Sequence, residues 1–183
     1  MDSNEKQDGR TTATASAFSS SDVRSILREK CWLGSEDCES ISAWCERAAA
    51  LLGPQAANAA EFADLLGLVF HYDAAEILGC VESHAVLARR AAREVVRELA
   101  LELTAGGELD SARFSEIVNR LKERLELRGR DLFHPIRLAL AGRAGEGELD
   151  RVILLLDTAA ALPFAVRVKG ARERMLEFCA ALD

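Results

Sequence analysis

β-Branched residues are sparse in this 183-residue chain, and aromatic side chains make up only 5% of it. Strands draw on both types to fill a half-buried pleated face, so their scarcity argues against a large sheet. No apolar run reaches the roughly 18–20 residues that a bilayer-spanning helix needs, and no membrane partner is expected. No secretory signal precedes the five cysteines, whose odd number argues against a closed disulfide framework. A reduced, cytoplasmic compartment fits them best. Closely spaced Cys-x-x-Cys knuckles are missing too. Cys31, Cys38 and Cys45 recur at every seventh position, which suits core thiols; a metal set would need a fourth ligand such as His71 or His84. Those two histidines read as capping or packing residues. No serine or cysteine shares a local signature with histidine and an acid, and no glycine-rich phosphate loop follows a strand-like run. Catalytic residues, metals and cofactors are therefore expected to be none.

What is plentiful is Ala, Leu, Glu and Arg, residues that enter a helix at little cost. An all-α fold follows as the expectation. The formal net charge is −7, which taken whole argues against a nucleic-acid partner, and no DNA partner is expected. The charge is uneven, however. Residues 1–119 carry 11 Lys/Arg against 20 Asp/Glu, whereas residues 120–183 carry 12 against 10. The basic surplus centres on residues 120–143, where seven Lys/Arg face three acids. Farther upstream Arg89, Arg93 and Arg97 recur at i, i+4 and i+8 beside Glu94, Glu98 and Glu102. That pattern reads as a paired, solvated face with Arg90–Glu94 contacts, the other reading being an extended RNA footprint.

Periodicity lays out the helices. Residues 1–20, rich in Ser, Thr, Ala and Asp, read as a disordered tail. A short helix follows Ser20–Asp22, with Val23, Ile26, Leu27 and Cys31 on one side, and Gly34 ends it. Ser35 then caps a second helix that buries Ile41, Trp44, Cys45, Ala48 and Leu52. A third covers Ala57 to Phe70, and Asp73 caps a turn to Leu78. One long helix is expected from Glu82 to Thr104, closed by Gly106 and Gly107. Asp110 or Ser111 opens the next, with Phe114, Ile117, Val118, Leu121 and Leu125 inward. A helix from Pro135 to Ala141, one from about Glu148 to Leu156, and a last from Ala171 to Leu182 complete the set, with residues 163–168 extended. The Gly106-Gly107 break divides the chain into two small helical subdomains, 21–105 and 106–183.

The densest signal is residues 128–142, Arg-Gly-Arg-Asp-Leu-Phe-His-Pro-Ile-Arg-Leu-Ala-Leu-Ala-Gly. Pro135 sits just inside the expected helix start and Gly142 at its stop. The run resembles the G-R/K-x-L-F-x-P-L-R-x-A-L-T-G segment of the anticodon-binding domain of glutamyl-tRNA synthetases. Upstream, Ala43-Trp44-Cys45-Glu46-Arg47-Ala48 and Glu61-Phe62-Ala63-Asp64-Leu65-Leu66 with Phe70 are similar to the helical linker subdomain of that family. Downstream, Gly147-Glu148-Leu149-Asp150 with Leu154-Leu155-Leu156 resembles its G-P-E-L…L-L-L segment, and Val168-Lys169 with Arg172 to Glu177 its closing helix. The resemblance covers residues 40–183.

The resemblance implies an all-helical cage and a transfer-RNA partner, glutamate-type favoured, met at the anticodon loop. It implies that Arg137 meets the anticodon, where a guanidinium can bond a base edge or phosphate with two N–H groups. Arg128 and Arg130 would supply backbone charge, and His134, Arg143 and Arg47 are further RNA-binding candidates. That reading requires the Arg137 guanidinium to line a groove open to RNA. The family's H-I-G-H and K-M-S-K-S motifs are not found, so no ATP or glutamate activation is expected of this chain alone. The function expected is a non-catalytic tRNA-binding module linked to aminoacylation. The alternatives are a trans subunit docking to a separate synthetase catalytic chain, or a helical protein-interaction scaffold without RNA binding. The chain departs from the family where Ala141 replaces a common threonine, where Glu148 or Gly147 replaces proline and where Asp157 replaces a frequent glycine; Glu146 and Glu148 place negative charge in a loop that approaches RNA in relatives.

Overall fold

The computed structural model describes residues 18–34 and 38–182. Eleven α-helices and one 3-10 turn (Gly53–Gln55) make up its regular structure, with no strand among the described residues. They are α1 (Ser20–Glu29), α2 (Glu39–Leu52), α3 (Ala59–Phe70), α4 (Ala74–Gly79), α5 (Val81–Leu87) and α6 (Ala92–Thr104). The second half adds α7 (Ser111–Leu125), α8 (Arg130–Ala141), α9 (Glu148–Ile153), α10 (Leu156–Ala160) and α11 (Ala171–Leu182). Among the described residues no helix is long and apolar enough to cross a membrane.

Local chemistry sets several helix starts. Ser19 and Asp22 form a capping box at α1: the Ser19 hydroxyl accepts from the Asp22 N–H, and the Asp22 carboxylate accepts from the Ser19 N–H at 2.7 Å. The Ser19 hydroxyl, which also donates to that carboxylate at 2.7 Å, and then the Ser19 N–H hold the Asp22 carboxyl below its ordinary pKa. Of the expected tail, residues 1–17 lie outside the described residues, while Phe18 stacks on Phe62. Ser35, the expected cap of α2, also lies outside them, and Cys38 occupies the cap position. Asn58, Asp73 and Asp110 cap α3, α4 and α7 by accepting the N–H three residues on.

Helix α8 is the hub. It packs on α5, α6, α9 and α11, and everything from Pro135 to Ala141 is buried. The expected start at Pro135 is corrected: the helix begins at Arg130, behind Gly129 with φ 56°, and Pro135 lies inside it. The proline forfeits only the bond to the Asp131 carbonyl, which belongs to an exposed residue that water can serve. Gly142, with φ 79°, ends the helix in the left-handed region as expected.

Two expected continuous helices are broken. The stretch from Glu82 to Thr104 is divided by residues 88–91, where Ala91 takes φ 61°. The break lets α5 and α6 each lie against α8, so tertiary packing overrides local propensity. The stretch from Glu148 to Leu156 is divided at Leu154–Leu155. Side chains of α2 meet the carbonyls there: Arg47 Nη2 donates to Leu154 at 3.2 Å and Trp44 Nε1 to Leu155 at 3.4 Å. The 163–168 segment forms no ladder. It is held by Ala165 N–H donating to the Trp32 carbonyl at 2.8 Å and by Phe164, which packs edge-on against Trp44 and Phe70.

The heptad cysteines do not share a core. Cys45 is buried, Cys38 half-buried and Cys31 exposed. The histidines read as capping or packing residues are exposed as well, and His71 pairs with Glu76 at 3.1 Å.

Candidate functional site

The 128–142 run places Arg130, His134 and Arg137 along α8, Arg128 just before it and Arg143 just after its glycine stop. Their environments differ sharply. Arg137 turns inward. Its Nε and Nη2 donate to the two carboxylate oxygens of Asp150 at 2.7 and 2.8 Å, and its Nη1 donates to the Gly145 carbonyl at 2.6 Å. Its Cζ lies 4.9 Å from the centre of the Phe133 ring. Only 7% of the residue reaches solvent. The expectation of an RNA-facing Arg137 is thereby corrected. The reason is geometric: Asp150, in the first turn of α9, lies where a bidentate guanidinium pair closes the 142–147 loop.

Arg143, at the outer end of that loop, makes a partly exposed bidentate pair with Asp64 of α3 at 2.8 and 3.2 Å. The Asp64 bonds raise its pKa above the ordinary arginine value. Arg130 lies within 3.4 Å of Glu146, both largely exposed. Arg128 is exposed and borders a shallow depression with Lys122, Asn119, Glu123 and Glu126. Arg47 is half-buried, and the Leu154 carbonyl engages it. It stands apart from the α8 group, in a groove lined by Trp44, Thr158 and Leu162.

His134 has a defined state. Arg89 Nη1 approaches its Nδ1 at 3.4 Å, and a guanidinium only donates, so Nδ1 accepts and the proton sits on Nε2. Nε2 is buried without a partner among the described residues. Desolvation, with Arg89 and Arg130 adding to it, holds the imidazole below its ordinary 6.5. The ring is therefore neutral near pH 7, with carboxylates of Asp131 and Glu146 on its flanks paired to Arg89 and Arg130.

Sequence reasoning did not find the partners. Asp64, Glu146 and Asp150 answer three of the α8-region arginines, from 79, 16 and 13 residues away in sequence. It also missed Arg174, which is fully buried and donates to the carbonyls of Leu68, Val69, Leu140 and Lys169 at 2.6–3.0 Å. Its Cζ stacks 4.6 Å from the Tyr72 ring, and burial pushes its pKa down to about 10. This guanidinium ties the C-terminal ends of α3 and α8, where helix carbonyls lack partners and dipoles favour a cation. It fixes the end of α8 from which Arg143 projects.

Chemically, the arrangement offers exposed cations around a helix and the loop that follows it. A family model described as an anticodon binding domain matches residues 23–162. Among curated proteins, the glutamate–tRNA ligase of Bacillus cytotoxicus is 33% identical over 125 residues, which are 67% of this chain and 25% of the ligase. The chain thus spans about a quarter of that relative's length. No solved structure matches the chain significantly.

Proposed function

The chain belongs to the anticodon-binding domain family, and from that premise we propose that it binds transfer RNA, glutamate-type favoured, at the anticodon loop and takes no catalytic part by itself. The match over residues 23–162 carries the reading. In it Arg128, Arg130, Arg143 and His134 face RNA from the α8 surface, and Arg137 is a positioning residue that holds the loop bearing Arg143. Unpaired, splayed anticodon bases suit a guanidinium, which can stack on a base or bond its edge. Arg47, engaged with Leu154, takes a structural part. The setting is cytoplasmic, where aminoacylation is carried out.

One observation favours a second reading, a protein-interaction module without RNA binding. Carboxylates already engage Arg137, Arg143 and Arg130. RNA must displace Asp64 and Glu146 to use the latter two, whereas Arg128, which shares its depression with Glu123 and Glu126, has no ion-pair partner among the described residues. The test is equilibrium binding of an anticodon stem-loop across a salt series. Each phosphate contacted on single strands steepens log K against log salt by about 0.7. Tight, salt-steep binding that weakens on Arg128→Ala and Arg143→Ala is the expected result. Equal inertness of the wild type and both variants would favour the protein-interaction reading.

A further inference from the structure

We propose that the groove between α6 and α11 docks an acidic amphipathic helix from a partner protein. Val96, Ala100, Leu101, Cys179 and Leu182 form its floor, and Arg93 and Arg97 stand on its rim. Leu101 is 57% exposed and extends the apolar surface of the groove toward solvent. Past Arg93 and Leu182 the surface continues into a second depression floored by Leu78 and Leu87. The apolar strip therefore runs beyond a single side chain's length.

Charge names the occupant. Glu98 and Glu102 of the same helix are taken by Arg124 and Arg120 of α7. Among the described residues no carboxylate lines either depression, and neither Arg93 nor Arg97 has an ion-pair partner. The expected Arg–Glu pairing along this face is thus replaced by two unanswered guanidinium groups bordering apolar side chains. A helix with a leucine stripe and flanking glutamates satisfies both at once. RNA fits less well, because no aromatic ring lies in the groove for a base to stack on. The surface belongs to α6 and α11, whereas the proposed RNA contacts lie on α8 and the residues just before and after it, so the two proposals stand or fall separately.

Fluorescence anisotropy of the full chain tests it with three labelled probes: a synthetic amphipathic helix with a leucine stripe and glutamate flanks, the same stripe with lysine flanks, and an RNA stem-loop. The glutamate peptide is expected to bind at least about tenfold more tightly than the lysine peptide at low salt. Arg93→Glu with Arg97→Glu should reverse that preference while the stem-loop affinity stays unchanged. Leu101→Asp should weaken both peptides. Equal binding of the two peptides, a preference that survives the charge reversal, or stem-loop binding that depends on Arg93 and Arg97 would overturn the proposal.

Discussion

Arg137 on α8 grips Asp150 on α9 with two parallel N–H···O bonds of 2.7 and 2.8 Å. Both side chains are largely out of water, at 8% and 22% exposure. Removing one partner of such a pair leaves an uncompensated charge, which costs about 3–5 kcal/mol. Asp150→Asn and Arg137→Ala should each lose about 3 kcal/mol in urea unfolding. The double variant should lose less than the sum of the two. Losses below about 0.5 kcal/mol would show the pair to be incidental.

His134 supplies a pH signature. Its folded-state pKa lies below the unfolded 6.5 because of desolvation and then the neighbouring Arg89 and Arg130. As pH falls through 6.5 the unfolded chain takes up the proton first, so this residue's contribution to stability declines on acidification. Full stability from this source is present above 6.5. Carbon-detected NMR titration should place the His134 midpoint below 6.5, and Arg89→Gln should move it upward. A midpoint at or above 6.5 would remove the electrostatic description of this end of α8.

Ala91 occupies the left-handed region at φ 61°, where an L-residue is strained and glycine is not. Ala91→Gly should stabilise the chain by about 0.5–1 kcal/mol, measured by thermal or urea unfolding. Destabilisation would mean that the α5–α6 break is not held in this conformation.

The segment Gly106-Gly107-Glu108 is exposed, and we place the boundary between two helical subdomains, 21–105 and 106–183, there. Within residues 38–182 a broad-specificity protease should cut first between Thr104 and Glu108. The two pieces should remain associated, because Arg174 donates to the Leu68 and Val69 carbonyls at 2.9 and 2.6 Å and one apolar core joins both halves. First cuts elsewhere would shift the boundary.

Much of the helical layout was legible in the chain. The buried stripe Ile41, Trp44, Cys45, Ala48 and Leu52, the caps Asp73 and Asp110, the Gly142 stop and the bounds of α11 all depend on neighbours within a turn or two. The breaks at Ala91 and at Leu154–Leu155 were not legible. No glycine or proline marks either, and the second is served by donors on α2 more than 100 residues away. The position of Pro135 misled because a proline in the sixth place of a helix mimics a helix start. Arg137 resembled an RNA-facing residue by motif position, but whether a guanidinium points out or in depends on a carboxylate brought near by the fold. Arg174 had no local signal at all, since its acceptors are carbonyls at the ends of two other helices.

The most direct measurement is nuclease footprinting of a glutamate-type transfer RNA by the full chain. Protection confined to the anticodon loop and its adjoining stem, lost on Arg128→Ala with Arg143→Ala, is the result expected. Protection at the acceptor end instead, or no protection at chain concentrations that saturate the tRNA in a binding assay, would contradict anticodon recognition by this surface.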